Sequence, residues 1–303
     1  MTEAVVHARG LRRTFGARVA LDALDLDVHA GRIHGLVGPD GAGKTTTLRL
    51  VADLLTPDAG EVRVDGRAPS DPAVREIVGL MPQRYSLYGD LSVRENLTFF
   101  RRLFGLGRRE AEPRIQRLLD LTRLGPFQDR RADDLSGGMY KKLALACALL
   151  HQPRVLLLDE PTNGVDPVSR RELWTLLGEF AAQGVAVLVT TPYMDEAERC
   201  HGVSLLHEGK LVAEGAPAAL VRALDHPVVR IDGMPPRAVV EALQGAAEVR
   251  ALTPGGDRVR AVLAPGGLDA LTRRLAPLGA SVTPVRADFE DVFLARVREA
   301  EAA

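Results

Sequence analysis

The chain has 303 residues, 46% hydrophobic and 26% charged, a balance that excludes intrinsic disorder and suffices for one large domain and a small one. Its 39 basic and 40 acidic residues give a formal charge of -1, so overall charge supplies no footprint for nucleic acid or for an anionic membrane. The longest apolar runs, Leu143 to Leu150 and Val185 to Val189, fall far short of the roughly 18 residues that suggest a bilayer span.

The opening MTEAVVHARG lacks the basic flank and apolar centre of a signal peptide, which points to a cytosolic protein whose membrane contacts run through other proteins. Cys147 and Cys200 stand in no CxxC pair and near no His cluster, the pattern of buried, inert thiols.

Along the chain, Val5 to Leu11 and Leu24 to Val28 alternate apolar and polar residues, as strands of a partly exposed antiparallel sheet do. Ile33 to Val37 (IHGLV) reads as a short buried strand entering the loop GPDGAGKTT, and Thr45 to Leu55 has helical apolar spacing. From Gly89 to Leu150 the pattern is helical and Arg-rich, which predicts a helical subdomain inserted into an α/β core. VLLLD (155 to 159) and VAVLVT (185 to 190) are the continuous apolar runs of central parallel strands, with a helix from Arg170 to Gln183 between them. GVSLLHEGKLVAEG closes the core as a hairpin.

After about Arg222 the texture changes at His226-Pro227 and Met234-Pro235-Pro236. Val228 to Ile231, Arg237 to Gln244, Glu248 to Leu252, Arg258 to Leu263, Leu268 to Leu278 and Val282 to Val285 read as strand, helix, strand, strand, helix, strand. That order is the split βαβ, ferredoxin-like pattern.

Gly38-x4-Gly43-Lys44-Thr45 is a phosphate-loop pattern: bare glycines let backbone N–H groups converge on phosphates at a helix N-terminus. Lys44 is placed to reach the β- and γ-phosphates, and Thr45 to ligate Mg²⁺. Asp159 and Glu160 end a buried strand, where α/β sheets present ligand-binding groups. Asp159 suits an outer- or inner-sphere magnesium contact, and Glu160 suits a base that takes the proton of the water attacking the γ-phosphate. Ser136, Gly137 and Gly138, in LSGGM just before KKLALACALL, offer a hydroxyl, bare amides and a helix dipole, a second surface for an anion.

The ordered set GPDGAGKTT, Gln83, LSGGM, LLLDEP and Asp166 resembles the ATP-binding cassette (ABC) family over residues 4 to about 222. The resemblance implies ATP and Mg²⁺ as cofactors, held through Gly38, Pro39, Asp40, Gly41, Ala42, Gly43, Lys44, Thr45 and Thr46, with metal contacts from Thr45, Gln83 and Asp159 and catalytic roles for Glu160 and Gln83. It also implies two cassettes paired head to tail, so that Ser136, Gly137 and Gly138 serve the partner's ATP, and an aromatic stacked on adenine at Phe15. Tyr85, Leu87 and Tyr88 fall where the family receives a coupling helix of the membrane subunit, and Asp166 falls in the loop that spans the two cassettes.

The fold class expected is α/β: a P-loop NTPase core with an antiparallel β subdomain and an inserted helical subdomain, plus a small ferredoxin-like α+β domain. The expected boundaries are 1–222 for the ATP-binding domain, with the helical subdomain at about 89–150, and 227–303 for the accessory domain. LSGGM with KKLALACALL, TNGVDPVSRRELW, PYMDEAERC and ADFEDVFL is similar to the drug-efflux branch that works with ABC-2 type permeases. The implied protein is an ATPase peripheral on the cytoplasmic face of the membrane, partnered by such a permease and a second cassette, the same or different, and not by nucleic acid. The alternatives are a non-hydrolysing regulatory cassette in a heterodimer, or a non-transport ABC ATPase.

One position departs from the family. A histidine that contacts the γ-phosphate is usual one strand after the acid pair, and here Thr190-Thr191 runs into Pro192. Proline carries neither a side-chain donor nor a backbone N–H, so the expectation is a weakened site in this chain.

Overall fold

The computed structural model describes residues 4–84 and 87–302, which divide into two compact units, Met1–Leu211 and Val212–Ala303. In the first, β1 (Ala4–Phe15), β2 (Arg18–His29) and β4 (Ala59–Val64) form an antiparallel sheet in the order β2-β1-β4. Ala8 and Leu11 both face its core although strict alternation would put them on opposite faces; a register shift between them, at Gly10 with φ 58°, inserts the extra residue.

The second sheet runs β5-β6-β7-β3-β8-β9, from β3 (Ile33–Val37), β5 (Val78–Met81), β6 (Val155–Asp159), β7 (Ala186–Thr191), β8 (Gly202–His207) and β9 (Lys210–Gly215). Its members β5, β6, β7, β3 and β8 pair in parallel. Every residue of β3, β6 and β7 is buried, because helices cover both faces of a parallel sheet. Glu208 and Gly209, with φ 47° and 80°, make the two-residue turn from β8 to β9, whose mirror-image geometry matches strand twist.

Around this sheet lie α1 (Lys44–Val51), α2 (Pro72–Ile77), α3 (Val93–Leu103), α4 (Arg108–Thr122), α5 (Gly137–Leu149), α6 (Pro167–Ala182) and α7 (Met194–Ala197). Helix α1 stops at Val51, short of Leu55, where Asp53 turns left-handed (φ 58°) and the N–H groups of Leu54 and Leu55 both fold back onto Arg49 O. Helix α6 begins three residues before the expected Arg170, because Asp166 caps it and Pro167 fits its first turn. Helices α3 to α5 occupy 93–149 with no strand among them, as the sequence predicts for the inserted subdomain. Helix α3 is started by a reciprocal Ser92–Glu95 box, while α5 is apolar almost all round, with Leu143 to Leu149 wholly buried.

The second unit holds α8 (Pro217–Arg222), β10 (Val228–Asp232), α9 (Pro236–Leu243), β11 (Val249–Gly255), β12 (Arg258–Leu263), α10 (Leu268–Leu275), β13 (Ser281–Pro284) and α11 (Phe289–Ala302). Its sheet is antiparallel in the order β11-β12-β10-β13, the split βαβ arrangement. Period-two alternation sends Val229 and Ile231 to one face, against Val239, Leu243, Leu271 and Leu275 of α9 and α10. Val228, Ala251 and Val262 face the other side, where Ala295 of α11 covers them. No helix among the described residues is long and apolar enough to cross a membrane.

Candidate functional site

Four adjacent strands, β5, β6, β7 and β3, end at one edge of the parallel sheet. They deliver Gln83, the pair Asp159 and Glu160, the pair Thr190 and Thr191, and the loop that begins at Gly38. Carboxyl ends of parallel strands are where such sheets bind ligands.

The loop is gripped by main chain. Gly43 has φ 105°, and a Cβ there would lie 2.6 Å from Ala20 O and 2.7 Å from Leu21 Cδ2, so only glycine fits. Gly209 donates its N–H to Ala42 O (3.2 Å) and accepts from Asp22 N–H (2.9 Å), which ties the loop to both the β8–β9 turn and β2. Lys44, 4% exposed, folds back to donate to Gly38 O (2.8 Å) and Pro39 O (3.0 Å).

The two carboxylates are set differently. Asp159 Oδ1 accepts from Thr45 Oγ1 (3.0 Å) and from Thr190 Oγ1 (2.8 Å). Glu160 turns left-handed at φ 47°, a conformation that costs about 1–3 kcal/mol outside glycine. Its N–H donates to Thr190 Oγ1 (2.9 Å), while its carboxylate lies 3.6 Å from Lys44 Nζ and accepts from Gln83 Nε2 (2.7 Å) and Asn163 Nδ2 (3.2 Å). Lys141 donates to Gln83 O (3.2 Å); burial lowers the proton affinity of its amine, against the opposing pull of the Asp159 and Glu160 charges. The Thr45 hydroxyl, the Asp159 carboxylate and the Gln83 amide form an all-oxygen donor set, which fits a hard divalent cation such as Mg²⁺.

Phe15, Arg18, Asp40, Gly41, Gly43, Lys44, Thr45, Thr46, Gln83 and Glu160 line one cleft of about 480 Å³. Gly38, Pro39 and Ala42 belong to the same loop without lining it, and Asp159 sits behind Thr45. Phe15 is 46% exposed at the rim, with the Arg13 guanidinium 5.1 Å from its ring centre, so a flat ring can stack there.

Ser136, Gly137 and Gly138 lie elsewhere. Ser136 caps α5 by accepting from Met139 N–H (3.3 Å), while Gly137 faces Gly164 O in the loop before α6 and Gly138 faces Ser169 in its first turn. A Cβ on Gly138 would fall 2.3 Å from Ser169 Oγ. Asp166 accepts from the N–H groups of Val168 and Ser169, both at 3.0 Å; bonds from Ser169 first, then Val168, hold its carboxyl below the usual carboxylate range. Tyr85 lies outside the described residues, Leu87 is half-buried, and exposed Tyr88 packs on Phe99 at 4.4 Å. Phe99, Phe100, Phe104 and His151 continue that aromatic row, which the sequence reading missed although FF at 99–100 marks it.

Pro192 follows directly after Thr191, whose carbonyl accepts the Gly38 N–H (3.4 Å). His201 does not replace it: its Nδ1 accepts from Ile33 N–H (3.0 Å), at the far end of β3 from the loop. The Tyr193 ring lies under the Arg170 guanidinium at 4.7 Å. Thr190 and Glu196 also escaped the sequence reading, Glu196 because PYMDEAERC looks like a solvated helix start.

The model of the family described as ABC transporter matches residues 21–163. The Nod factor export ATP-binding protein I of Paraburkholderia xenovorans is 40% identical over 247 residues, 80% of this chain and 81% of that protein. The chain belongs to the ABC transporter ATP-binding family. The cassette is also 47% identical over 228 residues to the probable multidrug ABC transporter ATP-binding protein YbhF of Escherichia coli, covering 74% of this chain and 39% of that longer relative. Among solved structures, the ATP binding subunit of an ABC transporter superposes with a TM-score of 0.65 at 29% identity, over 72% of the cassette chain and 92% of that structure. The α/β class expected from sequence is therefore the fold of this family.

Proposed function

We propose that this chain is the ATP-hydrolysing subunit of an exporter. The observation that carries the reading is Glu160, aimed into the phosphate-loop cleft and held between Lys44 at 3.6 Å and Gln83 at 2.7 Å. In this reading the loop amides and Lys44 bind the β- and γ-phosphates, releasing Lys44 from Gly38 O and Pro39 O. Phe15 stacks on the adenine, and Glu160 accepts the proton of the attacking water. Thr45, Asp159 and Gln83 hold Mg²⁺, which when bound neutralises charge on the phosphates.

Ser136, Gly137 and Gly138 complete the site of a second cassette, and the aromatic surface at Tyr88 receives a permease of ABC-2 type. Export is favoured by the names of two relatives, one called a multidrug transporter protein and one a Nod factor export protein. The C-terminal unit supports the dimer or regulates it.

Pro192 favours a second reading, a cassette whose own site binds ATP but turns it over slowly and which works beside a different, active partner. Mg-ATP turnover across protein concentration separates the two. A homodimeric motor hydrolyses ATP with concentration dependence, loses it in Glu160→Gln and gains nothing in Pro192→His. A weakened cassette is nearly inactive alone and gains Glu160-dependent turnover in Pro192→His. Turnover unaffected by Glu160→Gln would overturn both.

A further inference from the structure

Glu196 on α7 is completely buried, yet it contributes nothing to the cleft described above. Its two carboxylate oxygens divide their bonds between the loop after β6 and the last residue of β7. Oε1 accepts from Thr162 Oγ1 and Oε2 from Thr191 Oγ1, both at 2.6 Å. Thr162 lies two residues beyond Glu160, and Thr191 is the residue before Pro192. Thr191 Oγ1 in turn accepts from Tyr193 N–H (3.1 Å), and the Thr191 carbonyl accepts from Gly38 N–H.

Among the described residues the cation facing this carboxylate is Arg170, whose Nε is 3.4 Å from Oε1 and whose guanidinium also covers Tyr193. Arg170 sits in the first turn of α6, the helix that Asp166 caps. A charge in the interior is expensive unless it is paired and hydrogen-bonded, and bonds to an ionised acceptor are short and strong. The short bonds to the loop after β6 and to the end of β7 therefore make the carboxylate a rigid spacer and not a surface acid that happens to be covered.

We propose that Glu196 is a positioning residue of hydrolysis: it fixes the loop after β6 against the end of β7, and so sets Glu160 and the Gly38 end of the phosphate loop at their working separation. The proposal rests on the hydrolytic reading above. The chain has Pro192 where a side chain could otherwise have anchored the end of β7 from the nucleotide side, and Glu196 anchors it from behind. Glu196 is buried behind the cleft and does not line it, so its removal should affect the rate of the step more than binding.

The test compares kcat and KM for Mg-ATP in Glu196→Ala, Glu196→Gln and Thr162→Val. Binding of a fluorescent ATP analogue and thermal unfolding are followed for each variant, with Glu160→Gln as the control. The expected result is a fall in kcat of tenfold or more in Glu196→Ala, with KM and analogue affinity within about threefold of wild type. Glu196→Gln, which keeps the shape and one carbonyl acceptor, should recover part of the rate. Thr162→Val, which removes one donor without removing the buried charge, should lower kcat severalfold without lowering the unfolding temperature appreciably.

If Glu196→Ala proves unfolded, Thr162→Val and Glu196→Gln decide. The proposal is overturned if those variants hydrolyse at the wild-type rate, or if kcat, affinity and stability fall together with no rescue by glutamine. Wild-type turnover that does not depend on Glu160 instead removes the hydrolytic reading, and the proposal with it.

Discussion

Arg260 of β12 grips Asp291 of α11 side-on, Nε at 2.9 Å from Oδ1 and Nη2 at 2.6 Å from Oδ2, with the Asp291 side chain only 2% exposed. The same guanidinium donates to Arg286 O (2.6 Å), and Asp291 Oδ2 also accepts from Asp288 N–H (2.8 Å). One ion pair thus joins the last helix to its sheet and closes the loop before it, and the Asp291 carboxylate raises the proton affinity of Arg260. Asp291→Ala should destabilise the C-terminal unit by about 1–3 kcal/mol, because Arg260 loses its side-on partner and keeps only Arg286 O and Asp288 at 3.3 Å, while Asp288 N–H loses its acceptor. Hydrogen exchange would show α11 losing protection before β10 and β12; uniform protection in the variant would show that apolar packing alone seats the helix.

The pair Lys44 and Glu160 predicts a coupled response in the nucleotide-free chain. Lys44→Met leaves the Glu160 carboxylate with its two amide donors and only the more distant charge of Lys141, at a cost of about 2 kcal/mol. Adding Glu160→Gln should restore most of that loss, read as the urea midpoint without nucleotide. Strict additivity of the two substitutions would mean that the 3.6 Å approach carries no energy.

Gly138 is predicted to tolerate no side chain. Gly138→Ala pushes a methyl group into Ser169 and should cost about 1–3 kcal/mol by overpacking the junction of α5 and α6. Ser169→Gly in the same chain removes both atoms that the new Cβ meets most closely, and should return the unfolding temperature toward wild type.

His34 gives the chain an acid-sensitive core. It is 8% exposed and bonded to Ser204 Oγ (2.9 Å), and burial, with the nearby His29 charge, pulls its pKa from 6.5 to about 4. Between those values the unfolded chain binds a proton that the folded chain refuses, so stability is full above pH 6.5 and declines as the pH falls toward 4. The loss is about 3 kcal/mol over that window. Denaturant midpoints of wild type and His34→Gln, measured from pH 7 to 4, should diverge by this amount, with the variant showing the shallower decline.

Much of this was legible from the residues. The limits of β3 and β6 were read without error because a strand buried on both faces is an unbroken apolar run with sharp ends. The six elements of the C-terminal sheet and its two helices also appear in the expected order. The phosphate loop and the acid pair are local patterns, and the fold brings them to one cleft. Asp166-Pro167 was a readable helix start that the apolar spacing of α6 obscured. Strand β4 and helix α2 were missed: β4 has only Val62 and Val64 buried, so its pattern is too weak to stand out.

Glu196 was beyond reach for a different reason. Its partners Thr162 and Thr191 are hydroxyls distant or ambiguous in sequence, and its burial exists only once α6 and β7 have packed around it. Leu294 and Ala295 were visible as apolar residues of α11, but the face of the sheet they help to cover is defined only by strand pairing.

The main-chain clasp on the phosphate loop sets which kinds of evolutionary change the chain can absorb. Because the Gly209 amide and carbonyl meet Ala42 and Asp22 through backbone atoms alone, the half-buried side chain at 22 can drift without loosening that grip, while Ala42 is held small by burial and not by the clasp. A change of length cannot be absorbed in the same way. Deleting or inserting one residue between Ala20 and Asp22, or in the two-residue turn at Glu208, would misalign the clasp, so length in these two short segments is under tighter constraint than identity.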